Sequence, residues 1–322
     1  MNLEFIAQPD PSRELCAELS GLVPQNPFTT YAYLEARRKS GLRPWLLGLR
    51  KGDALAAGCL GFVDAGVLSR SLEVPSLLFA EESSPFWEGL MKLCREQRIT
   101  RLGLDSFGST EVCIPNLPGE TSRRERHEFV LDLRQPELRK GLSSNHQRNW
   151  KRARAAGMEV VRSTGKEACR EHAGLMGASL ERRRERGEAV VKSESQALEA
   201  LVEAGAGEIF QARGKEGVAS SILILRAARG GYYQSAGTTT EGMSSGASHF
   251  LVLETALLLQ AQGMELFNLG GAHEGGLERF KAGFGAKQVT LEAAEFDLES
   301  GVARQAKKAV RLFRRLDPRK HR

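Results

Sequence analysis

The chain carries the same order of elements twice, and this constrains its fold more than any other feature. In the first half WLLGLR, a Lys51-Gly52-Asp53 turn and ALAAGCLGFV predict a β-hairpin. Phe86, Leu90 and Leu93 recur every three to four residues, which predicts an amphipathic helix over 84–97. RLGLDSFG (101–108) then reads as a strand leaving into a loop. In the second half EIFQARGKEGVASSILILR (208–226) is again strand, turn, strand, with Gly214-Lys215-Glu216-Gly217 answering the first turn. YYQSAGT (232–238) adds a third strand, and SHFLVLETALLLQAQ (248–262) is a nearly all-apolar and therefore buried helix. MELFNLGG follows it as RLGLDSFG followed its own helix. Further helices are expected over 11–19, 27–41 (entered through Pro27, stopped by Gly41) and 166–187, with a strand over 127–133. The expected fold is α/β with mixed sheets, in two copies of one unit meeting near 134–140.

The charge is divided unevenly between body and tail. Residues 301–322 hold nine Lys/Arg and one Asp, so they exceed the whole chain's +6 and leave the remainder at −2. The body is therefore not a basic nucleic-acid-binding fold. In the tail, Val302, Ala306, Val310, Phe313 and Leu316 fall on one side with bases elsewhere. That pattern suits docking on an anionic membrane surface or on RNA, and equally a packed helix with a basic end. Five scattered cysteines without a CxxC pair point to reduced thiols rather than a disulfide framework or zinc site. No signal sequence or membrane span is apparent, which predicts a cytoplasmic protein, with the inner membrane face as the alternative site for the tail. GxSxG, HExxH, a P-loop and a strand-borne GxGxxG are all missing, against serine hydrolases, zincins, P-loop NTPases and Rossmann enzymes.

Two segments carry a family resemblance. LSSNHQRNWKRARAAGMEV, within the joining helix region 138–161, reads as a polar turn, a basic helix, a Gly and a strand. FNLGG followed by GLERFKAGFGA gives a strand ending in Gly-Gly and then Phe-Lys-x-Gly-Phe-Gly. Together with PFTTYAYLEA near the start, they resemble FemAB-like proteins of the GNAT acetyltransferase superfamily. The resemblance implies two tandem GNAT-like domains, 1–137 and 138–300, with a cleft between them and the basic tail 301–322 beyond. It also implies transfer of an acyl or aminoacyl group to an amine. The donor is then acyl-CoA as a co-substrate or aminoacyl-tRNA, and the acceptor a small-molecule or nucleotide-sugar amine. No permanently bound cofactor and no metal is implied. The family often has Asp before Leu-Gly-Gly where this chain has Asn268, which cannot serve as a base. A catalytically degenerate binding module is the non-enzymatic alternative.

Amide formation from an ester or thioester needs a neutral, positioned amine and stabilisation of the developing oxyanion. Lys281, between Phe280 and Phe284, is the candidate for that charge or for a donor phosphate; His273 and Glu274 in the glycine-rich loop are the candidate bases. Ser244, Ser245, Gly246 and Ser248 precede the buried helix, where free N–H groups suit donor phosphates, or they simply cap it. Gly270, Gly271 and Phe280 complete the donor side. Asn145, Arg148 and Arg152 share one face of the joining helix, as a phosphate-binding pair for the acceptor or as a solvated basic face. Tyr232 and Tyr233 point to opposite sides of their strand, and Tyr233 is taken as the cleft residue.

Overall fold

A computed structural model gives the fold and describes residues 3–66, 69–79, 84–187, 195–272 and 275–299. The first unit runs β1 (Glu4–Pro9), α1 (Arg13–Leu22), α2 (Tyr31–Lys39), β2 (Arg43–Lys51), β3 (Ala54–Ala65), β4 (Arg70–Val74), α3 (Ser84–Glu96), β5 (Arg101–Leu104) and β6 (Glu120–Asp132). After α4 (Ser144–Ala155), the second unit repeats that order. It runs β7 (Glu159–Ser163), α5 (Lys166–Glu185), α6 (Ser195–Glu203), β8 (Gly207–Gly214), β9 (Gly217–Arg226) and β10 (Gly230–Thr238). A short helix α7 (Thr240–Ser245) precedes α8 (Ala247–Ala261), β11 (Leu266–Gly271), α9 (Gly275–Ala282) and β12 (Lys287–Asp297).

Local sequence sets these boundaries. Thr30 caps α2 by accepting from Tyr33 N, and Gly41, at φ +86°, ends it. Ser143 caps α4 by accepting from His146 N. α8 buries Phe250, Leu251, Val252, Leu253, Ala256 and Leu259, as its unbroken apolar run requires. Each large apolar side chain buried this way contributes about 1.5–3 kcal/mol.

The units share one twelve-stranded sheet in the order β1-β2-β3-β4-β5-β12-β6-β11-β10-β9-β8-β7. Within each unit one pair is parallel, β4 with β5 and β10 with β11, joined by the crossover helices α3 and α8. Strand order in space departs from chain order at the centre. β12, last in sequence, pairs with β5 of the first unit and with β6, while β6 pairs with β11 of the second. The expected boundary at 137/138 falls between β6 and α4 along the chain, while β6 and β12 interlock the two units in space. The strand expected over 127–133 begins at Glu120, because its outer half finds a partner in β12. RLGLDSFG is a strand only to Leu104 and a turn thereafter.

Tyr232 and Tyr233 do face opposite sides: the Tyr232 ring meets Phe28 edge-on at 4.9 Å, and Tyr233 packs against the core around α8. The five cysteines are free thiols. Among the described residues no helix is long and apolar enough to cross a membrane, and no group of three His, Cys, Asp or Glu is placed to hold a metal. The tail 301–322 lies outside the described residues.

Candidate functional site

Lys281 is not a surface lysine. It lies on α9 with 4% of its surface exposed. Its Nζ donates to the carbonyl oxygen of Gly271 at 2.6 Å and stands 5.6 Å from the Tyr233 ring centroid. Burial pushes its ammonium down to about 8; Glu128 opposes that shift and Arg126 adds to it. The expectation that Phe280 and Phe284 flank this lysine needs correction. Their rings pack on His146 and His249, and the ring under the ammonium is that of Tyr233.

Around Lys281 lies a buried polar network. Glu128, on β6, is fully buried and accepts four hydrogen bonds: from Arg126 Nη2 and Tyr232 OH at 2.8 Å, Asn268 Nδ2 at 2.7 Å and Gly108 N at 3.0 Å. Asn268 also accepts from Gly270 N at 2.8 Å. Asn268 is thus a donor to a carboxylate and a brace for the Gly-Gly turn, a place where Asp would set two carboxylates together. Arg126 reaches Asp105 at 2.9 Å and lies 3.9 Å over the Phe107 ring.

The network sits where the sheet opens. β10 and β11 are paired only over Gly230–Tyr232 and Leu266–Asn268. Beyond that β10 bulges between Tyr233 and Ser235 and stays with β9, while β11 stays with β6. A Cβ placed on Gly270 would come 3.0 Å from Tyr233 O, 3.5 Å from Tyr232 OH and 3.6 Å from Lys281 Nζ. Three polar atoms therefore converge at the mouth of the gap. In the first unit the corresponding opening is laced shut: Asp105 N bonds Val74 O, Leu77 N bonds Asp105 O and Phe107 N bonds Pro75 O, at 2.8–2.9 Å.

The two segments that carry the resemblance pack on each other. Ser143 N bonds Gly283 O at 2.9 Å, His146 Nε2 bonds Phe280 O at 2.7 Å, and Gly285 lies against Gly141. α4 thereby fixes α9, and with it Lys281.

The expected phosphate loop is shaped differently. Ser244 Oγ donates to Glu241 O, Ser245 Oγ to Gly242 O, and Ser248 Oγ bonds Thr238 Oγ1. Gly246, left-handed at φ +82°, is pressed against α4, so that a Cβ there would be 2.5 Å from Asn149 O. Arg152 Nη1 donates to Ser244 O at 2.8 Å. The serine hydroxyls are spent on local bonds, and α4 packs over the start of α8. Arg152 is therefore a brace, Asn145 bonds Asn149, and Arg148 remains exposed on the outer face. His273 and Glu274 lie outside the described residues.

The sequence reading missed Glu128, Arg126, Tyr232 and His146 as members of the site. Alternation in HEFVLDL does place Glu128 on one face with Val130, but nothing in the pattern marks that face as buried. A cavity of about 330 Å³ lies beside the network. It is lined by Arg37, Glu73, Asp105, Phe107 and Arg124 of the first unit and by Gln234, the residue at the β10 bulge. A larger groove of about 1570 Å³ along α3 and β1 includes none of the residues around Lys281.

Residues 140–282 match the family described as acetyltransferase (GNAT) domain. No curated protein matches the sequence. The chain resembles the solved structure of FemX with a TM-score of 0.69 at 11% identity, over 91% of this chain and 97% of that one. L-PGS from Bacillus licheniformis gives 0.55 at 13%, over 92% and 98%. A tandem GNAT protein from the clavulanic acid biosynthesis pathway gives 0.53 at 14%, over 92% and 98%.

Proposed function

We propose, from the match of residues 140–282 to the acetyltransferase (GNAT) domain family and from the likeness of the fold to that of a tandem GNAT protein, that this chain is an N-acyltransferase whose reaction centre is the β10/β11 gap. One observation carries the reading: a buried lysine stands at the β10/β11 opening, which among the described residues lacks the backbone bonds that lace its counterpart in the first unit. The donor carbonyl enters the gap, and the acceptor amine comes from the adjacent cavity past Gln234. The neutral amine attacks the carbonyl carbon and forms a tetrahedral oxyanion. Lys281, with one N–H held by Gly271 O, turns its remaining donors and its charge to that oxygen. Collapse breaks the bond to the carrier, and the departing thiolate or alkoxide takes up the proton the amine releases. Arg37 and Arg124 line that cavity paired with Glu73 at 3.1 Å and Asp105 at 2.8 Å, so an acceptor bearing carboxylate or phosphate, a nucleotide-sugar amine among them, would have to displace one of those carboxylates.

The covered start of α8 bears on the donor. A CoA pyrophosphate would need the N–H groups that α4 packs over, whereas the ester of an aminoacyl-tRNA would present its carbonyl to the gap without using them. This favours the aminoacyl ester over acyl-CoA. Calorimetry with acetyl-CoA, a long-chain acyl-CoA and charged tRNA tests the choice. Heat with charged tRNA and none with CoA supports the ester donor, and tight CoA binding lost in Arg152→Ala reverses it. Transfer that persists undiminished in Lys281→Met would remove the reaction centre from this gap.

A further inference from the structure

The same reading of Lys281 leaves Glu128, a fully buried ionisable side chain beside the gap, without a role. Four donors point at Glu128 and it donates to none, so a carboxylate accepting on both oxygens suits the place. The donors come from separate elements. Gly108 follows β5 of the first unit, Arg126 is on β6, Tyr232 is on β10 and Asn268 on β11 of the second unit. Tyr232 and Asn268 are also the last paired residues before β10 and β11 part. The carboxylate thus ties together both edges of the gap at the point where it opens. Tyr232 and Gly108 alone would need no charge there, since an amide of the same shape can bond to both; the buried Arg126 guanidinium, 2.8 Å away, does call for an anion. What an amide cannot supply is an anion near the buried ammonium: Tyr232 OH, which donates to Glu128, and Lys281 Nζ lie 3.5 and 3.6 Å from one point, the position a Cβ on Gly270 would take.

We propose that Glu128 is the positioning residue of this site: it gathers Arg126, Tyr232 and Asn268 at the mouth of the gap and, as the anion near Lys281, keeps that side chain a cation. The other groups that face or flank Lys281 are accounted for. Arg126, on β6, repels it and is itself held by Asp105. Tyr233, on β10, offers its ring, and β11 offers no charged group, its Gly271 carbonyl accepting from Lys281 Nζ. His146 on α4 and His249 on α8 stand behind Phe280, while Glu278 and Arg279 are on α9 itself. None of these replaces the charge of Glu128.

The inference rests on Lys281 acting as the charged group, but its test needs no substrate. Protein labelled with carbon-13 at lysine Cε is titrated by NMR, with Lys281→Met assigning the signal. In Glu128→Gln the midpoint of Lys281 falls by about one pH unit or more. In Tyr232→Phe, where Glu128 keeps its charge but loses a bond that disperses it, the midpoint rises. Unchanged midpoints in both variants, or movement in the same direction, would overturn the proposal. The second variant keeps the test open if the first does not fold. Loss of transfer in Lys281→Met is a separate result, so the two readings fail separately.

Discussion

Nε2 of His146 lies 2.7 Å from the carbonyl oxygen of Phe280, and the next residue along the chain is Lys281. A carbonyl only accepts, so the proton is on Nε2, and Nδ1 is left to accept from Ser143 Oγ at 2.8 Å. The joining helix thus holds α9 through one imidazole. His146→Ala removes that bond and leaves a hole beside Phe284. A stability loss of about 2–3 kcal/mol is expected, together with reduced transfer. Gly283→Ala reaches the same end by collision, because its Cβ would sit 2.2 Å from the His146 ring. Thermal melts and transfer rates on both variants check this; a variant with native stability and full rate would break the link between α4 and Lys281.

Lys281 also works against the fold that holds it. Its folded value of about 8 lies below the ordinary 10.5, so the unfolded chain holds the proton more tightly. The resulting cost to stability is fully present below pH 8 and disappears as pH rises from 8 to 10.5. At neutral pH it amounts to about 3 kcal/mol, offset by about 1 kcal/mol for the bond to Gly271 O. Lys281→Met is therefore expected to raise stability by about 2 kcal/mol at pH 7 while abolishing transfer. Urea unfolding at pH 7 and pH 10 reads both parts: the gain should be present at the first and mostly gone at the second.

The repeat made the fold legible because hairpin turns, an amphipathic or apolar helix and a following strand are local patterns. Pairing between distant strands is not local. That β12 would insert between β5 and β6 depends on which edges remain open after each unit folds, and no pattern in LEAAEFD records it. The same limit applied to the site. Lys281 stood out through its glycine and aromatic neighbours, while Glu128 lies in an ordinary alternating strand and acquires its meaning only when Tyr232 and Asn268 close on it. The serine segment reads as a loop before the buried helix, whereas residues 240–245 form a short helix of their own and Gly246 caps α8 without a side-chain bond. What covers it is α4, placed there by contacts about a hundred residues apart in sequence.

Acid should weaken the protein through its buried histidines. His172, bonded to Ser221 and Ser235 at 2.9 Å, and His249 are both pushed from 6.5 down to about 4 by burial, and His146 is lowered by the same cause. These groups stay neutral in the fold and gain protons when it unfolds. Their contribution is intact above pH 6.5 and is lost as pH falls from 6.5 towards 4. Each can cost up to about 1.4 kcal/mol per pH unit in that window. Chemical denaturation at pH 7, 6, 5 and 4.5 should show a steepening loss, and His172→Gln should flatten the curve. A flat profile for the native sequence would show that these imidazoles are solvated.

Gly270 is where conformation and chemistry meet most tightly. Its φ of +72° lies in the left-handed region, and its amide is held by Asn268 Oδ1. An alanine there costs about 1–2 kcal/mol in backbone strain. Its methyl would also press on Tyr233 O at 3.0 Å and come within 3.5 and 3.6 Å of Tyr232 OH and Lys281 Nζ. The protein should survive the strain, because β11 remains bonded to β6 through Gly271. The gap should not, since the methyl occupies the point to which its polar atoms converge. Gly270→Ala is therefore expected to lower the rate of transfer far more than stability, by about a hundredfold if Lys281 is turned away from the carbonyl. Gly263→Ala is the control: it is also left-handed, at φ +79°, but its Cβ meets nothing within 4 Å. It should reproduce the stability loss alone. Equal rates in the two variants would show that the reaction is carried out elsewhere.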